Sequence, residues 1–182
     1  MSKRTTHNPD STPTEFTPLE QVLVVRENPE AHERESVTMR WGLVPSGAES
    51  PTIGSRLTHA RGETVGTKAV FREAFRHRRC LIVVDSFEIG QRRAIQMKDG
   101  RPFGVGGIWE RWQKGDDVIE SCAVITTSSN TLVQPINDRM PVIIATEDYD
   151  RWLDSEFFDF EELQRMMRAY PADEMVVVPS SQ

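Results

Sequence analysis

Cysteine is scarce in this chain, with only Cys80 and Cys122 in 182 residues. Each lies inside an apolar run (Cys80-Leu-Ile-Val-Val84 and Cys122-Ala-Val-Ile125), and neither forms a CxxC pair or stands at ligand spacing from a histidine. That pattern excludes a disulfide scaffold and a zinc site, and it makes both residues small core hydrophobes in a reducing compartment. No eighteen uncharged apolar residues run together, which excludes a helical membrane span, and the N-terminus Met1-Ser-Lys-Arg-Thr-Thr-His-Asn8 lacks the apolar segment of a secretion signal. Internal repeats are absent too. The expectation is a soluble cytoplasmic protein with no membrane partner, no metal and no cofactor. A net charge of −6 argues against an indiscriminate nucleic-acid binder.

The charge that is present is unevenly placed. Arg56, Arg61, Lys68, Arg72, Arg76, Arg78 and Arg79 face only Glu63 and Glu73 between positions 56 and 79, so this stretch carries +5 and the rest of the chain −11. Such a patch can focus an anionic ligand while the remaining surface repels it. The competing reading is a solvated helix face.

In chain order, residues 1–14 are polar with Pro9 and Pro13 and read as a disordered lead-in, leaving 15–179 as one domain. Gln21 to Arg26 is a short apolar run, and Ser36 to Trp41 alternates apolar Val37, Met39 and Trp41 with polar partners, so the two predict a hairpin. Thr67 is placed to cap a helix whose apolar stripe is Val70, Phe71, Ala74 and Phe75. Strands are expected at 80–84, 94–97, 103–105, 108–112, 118–126, 142–145 and 174–178, with a short helical turn over 129–133. Thr146 is expected to cap a helix through Leu153, and Asp159 with Glu162 to open another that turns Leu163, Met166 and Met167 inward. Closely spaced strands joined by tight turns at 98–101 and 114–117 predict an antiparallel, barrel-like sheet.

One loop invites a functional question. Pro135-Ile-Asn-Asp-Arg-Met-Pro-Val142 sets a turn-forming Asn-Asp pair, the fixed charge of Arg139 and the φ-locked Pro141 just before an apolar run. A guanidinium held by a stiff turn at the mouth of a strand suits a phosphate or carboxylate. The plain alternative is a surface arginine on a loop.

Several segments, taken together and in order, resemble one family. They are Met39-Arg-Trp-Gly-Leu-Val-Pro-Ser46, His59-Ala-Arg-Gly-Glu-Thr64, Phe71 to Cys80 leading into Asp85-Ser-Phe87, Gly107-Ile-Trp-Glu-Arg-Trp112, Ile125-Thr-Thr127, Asn137-Asp-Arg-Met-Pro-Val142 and Glu147 to Asp154. The family is SRAP, the SOS response-associated peptidase or abasic-site-processing proteins. The resemblance covers roughly Pro18 to Tyr170 and implies a single α+β domain, a distorted mainly antiparallel β-barrel with flanking helices and a positively charged groove for single-stranded DNA. In the family, a cysteine at position two condenses with the aldehyde of an abasic site to form a thiazolidine, assisted by an Asn, a Glu and a His.

This sequence departs from the family at the chemistry. Position two is Ser2, and the segment before Pro18 is too short for the family's first strand and helix. The family's Asn position holds His59, its Glu position Ile89 and its His position Asn137, while Trp41, Arg61, Glu63, Asp138, Arg139, Met140 and Pro141 remain. The resemblance thus implies a single-stranded or abasic DNA-binding domain without the crosslinking step. In it Arg61 and Arg139 hold phosphates, Trp41 and Pro45 contact the unstacked strand, and Thr126 belongs to the same surface. An alternative is an enzyme with altered chemistry built from His59, Glu88 and Asn137. A third is a protein-interaction module, which gains if the basic residues of 56–79 pair with the acids of 147–162.

Overall fold

The computed structural model describes residues 19–90 and 92–180; the lead-in expected over 1–14 lies outside them. β1 (Gln21–Glu27) and β2 (Arg34–Trp41) form the expected antiparallel hairpin, with Val22 opposite Met39 and Val24 opposite Val37. Its turn is set by Asn28, whose Oδ1 accepts from the backbone N–H of Glu30 at 2.8 Å and of Ala31 at 2.9 Å. Then follow β3 (His59–Arg61), α1 (Arg72–His77), β4 (Arg79–Val84), β5 (Ser86–Glu88), β6 (Arg93–Met97), β7 (Phe103–Lys114), β8 (Asp117–Ser128), β9 (Arg139–Pro141), α2 (Tyr149–Leu153), α3 (Phe160–Met166) and β10 (Met175–Pro179).

Five strands close on themselves. β1 pairs with β2 and β4, β4 with β7 and β7 with β8, all antiparallel, and a parallel contact of β2 on β8 (Arg40 with Ser121, Trp41 with Cys122) completes a mixed barrel. Closure removes the exposed edges that an open sheet would present. A separate small sheet runs β10-β6-β5. The α+β class and the barrel expected from the sequence are what the chain forms.

Alternation along the strands divides the core in two. Cys80, Ile82 and Val84 of β4 and Cys122 of β8 join the cluster inside the barrel, with Val22, Met39 and Val105. Leu81, Ala123 and Ile125, one residue out of step, point the other way and pack against Phe75 of α1, Trp152 of α2 and Leu163 of α3. Both cysteines are fully buried. Burial raises both thiols, Cys122 to about 12 and Cys80 well above its ordinary value, so neither is a nucleophile at neutral pH.

Arg79 ties the helical layer to the barrel. Only 3% exposed, it donates to five backbone carbonyls: Nε to Trp152 at 2.8 Å, Nη1 to Phe75 and Arg76 at 2.9 Å each, and Nη2 to Asp154 at 2.6 Å and Phe157 at 2.8 Å. Desolvation brings its pKa down to about 10, which leaves it charged at neutral pH. A residue counted with the basic patch is therefore a structural clamp.

Several local expectations are corrected. Thr67 caps no helix: its hydroxyl donates to the carbonyl of Thr64, residues 62–71 are turns, and α1 starts only at Arg72. The stripe Phe71, Ala74 and Phe75 is nonetheless buried. The strands expected at 103–105 and 108–112 are the single β7. The strand expected at 142–145 lies earlier, at Arg139–Pro141, with only an isolated bridge from Ile143 to Val105 beyond it. Thr146 begins a 3-10 turn that leads into α2 and is not its cap, whereas the short helical turn expected after β8 is present as turns over 131–136, with the Gln134 N–H donating to the Asn130 carbonyl at 2.9 Å. Asp159 caps α3 as expected, accepting from the N–H of Glu162 at 2.9 Å.

Candidate functional site

The C-terminal half of β8 organises the site. It carries β3 in parallel (Arg61 beside Thr126) and β9 in antiparallel (Pro141 beside Thr126), so the two short strands lie on its opposite edges. His59 and Arg61, alternate residues of β3, share one face. This brings segments from opposite ends of the chain to one end of the barrel, where a cavity of about 770 Å³ opens.

Seven of the eight residues expected from the sequence line it: Trp41, His59, Arg61, Glu88, Thr126, Asn137 and Arg139. Pro45 is not among them; it sits in the loop after β2, where its carbonyl accepts from Ala48. Other groups, not among those eight, share the cavity. Lys68 adds a second exposed cation, and Phe87, Val124, Met140 and Pro141 add apolar surface. Lys68, one of the basic residues of 56–79, lies on the turn that follows β3 and not on a helix.

The aromatic and imidazole groups are fixed from behind. Trp41 donates its Nε1–H to the carbonyl of Thr58 at 2.9 Å, and His59 packs edge-on to it with ring centres 5.4 Å apart. Nδ1 of His59 lies 3.0 Å from the Thr58 hydroxyl, while Nε2 has no hydrogen-bond partner among the described residues. Its ring is open to the cavity, yet protein surrounds it on the other sides, and this desolvation lowers its pKa below the ordinary value of 6.5. His59 is thus neutral at pH 7.

Arg139, the first residue of β9, is held differently from the free clip expected. Its Nη1 and Nη2 donate to the two carboxylate oxygens of Glu63 at 2.7 and 2.9 Å, and Nη2 also reaches the carbonyl and hydroxyl of Thr126 at 2.8 and 3.0 Å. The hydrogen bonds from Arg139 hold the Glu63 carboxyl below its usual range. The side chains of Arg61 and Lys68 make neither a hydrogen bond nor a salt bridge among the described residues, so they, and not Arg139, are the open cations of the rim.

The remaining candidates are weakly placed for proton transfer. Glu88 is exposed and accepts from the Ser180 hydroxyl at 2.7 Å, and Ile89 next to it is buried. Asn137, which lines the cavity, accepts at Oδ1 from the N–H of Arg139 at 3.1 Å, and its amide nitrogen has no hydrogen-bond partner among the described residues. Of the basic stretch, Arg78 pairs with Glu110 and Arg79 with carbonyls, while none forms a salt bridge with an acid of 147–162 among the described residues. The interaction-module reading loses the pairing that would have favoured it.

The closed mixed barrel, with a cation-rimmed cavity at one end, makes this a single-domain barrel protein of α+β class. The chain belongs to the SRAP family: the family model described as SOS response associated peptidase (SRAP) matches residues 2–182. It is 35% identical over 146 residues to the abasic site processing protein YoqW of Bacillus subtilis (strain 168), covering 75% of this chain and 65% of that protein. It is 26% identical over 156 residues to the abasic site processing protein HMCES of Xenopus tropicalis, covering 69% of this chain and 47% of that one. The chain thus spans about two thirds of the first relative and under half of the second. A solved protein from Bordetella bronchiseptica superposes with a TM-score of 0.78 at 26% identity, over 94% of this chain and 89% of that one. One from Bacteroides thetaiotaomicron gives a TM-score of 0.77 at 24% identity, covering 88% and 74%, and shares the fold. Among the described residues no helix is long and apolar enough to cross a membrane.

Proposed function

We propose that this chain binds single-stranded DNA, including strands that carry abasic sites, at the barrel-end cavity and without forming a covalent bond to them. The observation that carries this reading is the convergence of Trp41, Arg61, Lys68, Thr126 and Arg139 around one opening, on a chain whose net charge is −6. A concentrated cationic rim on an acidic protein draws a polyanion to one place. The fixed ring of Trp41 supplies a surface for unstacked bases or sugars.

The non-covalent part rests on the nucleophiles. Both thiols of the chain are buried and protonated, and the positions that would move protons hold a neutral imidazole at His59, a buried Ile89 and an amide at Asn137, while the neighbouring carboxylate of Glu88 is tied to Ser180. Abasic-site processing is the activity in the names of the curated relatives, and it supports damaged DNA as the ligand class. One experiment tests both halves: mix the protein with single-stranded abasic DNA, then resolve it under native and denaturing conditions. A native complex that disappears on denaturation is expected. A surviving adduct would remove the non-covalent reading, and no complex at low salt would remove DNA.

A second reading is favoured by the unpartnered Nε2 of His59 at the cavity: an abasic-site lyase with His59 as the base. Strand cleavage abolished by His59→Ala would establish it over the binding role.

A further inference from the structure

We infer that the cavity receives an intact nucleobase and therefore favours base-bearing single strands over abasic ones. This rests on the single-strand binding proposed above and specifies what enters the pocket. Two aromatic rings with part of their surface open line the cavity, and both are locked by neighbours: Trp41 through Thr58 and His59, and Phe87 edge-on to Phe103 at 6.3 Å. Immobilised, half-open rings stack a base at little entropic cost. Val124 and Pro141 extend the apolar wall, and Ile89 adds another buried aliphatic group.

The polar groups of the cavity can meet the edge of a base. A ring-opened abasic deoxyribose would draw on the same groups through its aldehyde and hydroxyl, but it presents no ring to the aromatic walls and gains no stacking there. The carboxylate of Glu88 is engaged by Ser180, and the Thr126 hydroxyl already accepts from Arg139. Besides the cations of the rim, the Asn137 amide nitrogen and His59 Nε2 have no hydrogen-bond partner among the described residues, and such groups hydrogen-bond the edge of a base while its faces stack. The cavity volume of about 770 Å³ leaves room for this.

The test compares two oligomers of equal length and equal phosphate number: oligodeoxythymidylate and the same backbone built wholly of tetrahydrofuran abasic units. Fluorescence anisotropy competition at low salt is expected to show the base-bearing strand bound roughly tenfold tighter or more. Phe87→Leu, which keeps an aliphatic plug against Phe103, should pull that ratio towards one while binding of the baseless strand is retained, which also reports an intact fold. Equal binding of the two strands by the unsubstituted protein, or tighter binding of the baseless one, overturns the base pocket and leaves the single-strand reading standing. Binding of neither overturns both. A ratio unmoved by Phe87→Leu, with Trp41→Leu equally silent, also overturns it.

Discussion

The guanidinium of Arg139 lies fork to fork on the carboxylate of Glu63, with N–O distances of 2.7 and 2.9 Å. Glu63 lies just beyond the end of β3 and Arg139 opens β9, so the pair spans the two strands that flank Thr126 on β8. A carboxylate there occupies the face of the guanidinium that a phosphate would use. Both partners keep contact with solvent, at 23% and 49% side-chain exposure, so the pair is exchangeable and not a sealed core bridge.

Glu63→Gln is therefore expected to tighten single-strand binding at low salt, by about three- to tenfold, as one anion leaves the rim and Arg139 becomes available to a phosphate. The dependence of log affinity on log salt should steepen by about 0.7, one further phosphate neutralised. Anisotropy titrations across a salt series measure both. Weaker binding with an unchanged slope would mean that Glu63 serves to position Arg139 for the strand.

The two arginines should separate by what else they hold. The Arg61 side chain makes no hydrogen bond or salt bridge among the described residues, so Arg61→Ala should weaken binding of every sequence alike, flatten the salt slope and leave the thermal midpoint unchanged. Arg139→Ala should weaken binding and also lower stability by about 1 kcal/mol, because the Thr126 hydroxyl and the Glu63 carboxylate lose their donor. Equal thermal midpoints for the two variants would contradict this division.

The limits of the sequence are visible in these residues. β8 was legible because the apolar run Cys122-Ala-Val-Ile125 follows a tight turn at 114–117. β7 read as two strands because Gly104, Gly106 and Gly107 blank out the pattern, yet a Cβ at Gly106 would come within 3.1 Å of Trp152 and 3.2 Å of Ile144. Those glycines mark close packing, not a break. The candidate residues themselves were legible through short motifs, and seven of eight meet at one cavity. Their partners were not: Glu63 is 76 positions from Arg139, and the five carbonyls of Arg79 belong to backbone that no side-chain pattern encodes. Pairings made by strand order appear only once β3 and β9 are known to flank β8.

His59 carries a pH prediction. Its pKa in the folded chain lies below the ordinary 6.5 because of desolvation, so between the two values the unfolded chain binds the proton more readily. The contribution to stability is complete above about 6.5 and is lost as pH falls below it. His59→Gln should remove that portion of the acid-side decline, seen as a smaller drop in urea midpoint between pH 7.5 and 5.5 than the unsubstituted protein shows. An imidazole titration by NMR at or above the ordinary value would contradict the prediction directly.

Arg79 tests how much of the basic stretch is structure. Its five donated hydrogen bonds join the C-terminal end of α1 to the C-terminal end of α2 and to the loop before α3, in a place water barely reaches. Arg79→Met matches the length of the apolar stem but leaves those carbonyls without a donor, and buried acceptors stripped of a charged partner are costly. A loss of about 3 kcal/mol or more in urea unfolding is expected, with Arg79→Lys recovering only part because an ammonium cannot fan out to carbonyls on three segments. The folded fraction of either variant should bind single-stranded DNA as the unsubstituted protein does, since Arg79 does not line the cavity. If Arg79→Met unfolds like the unsubstituted protein but binds DNA more weakly, the residue acts through charge and belongs with Arg61 and Lys68 after all.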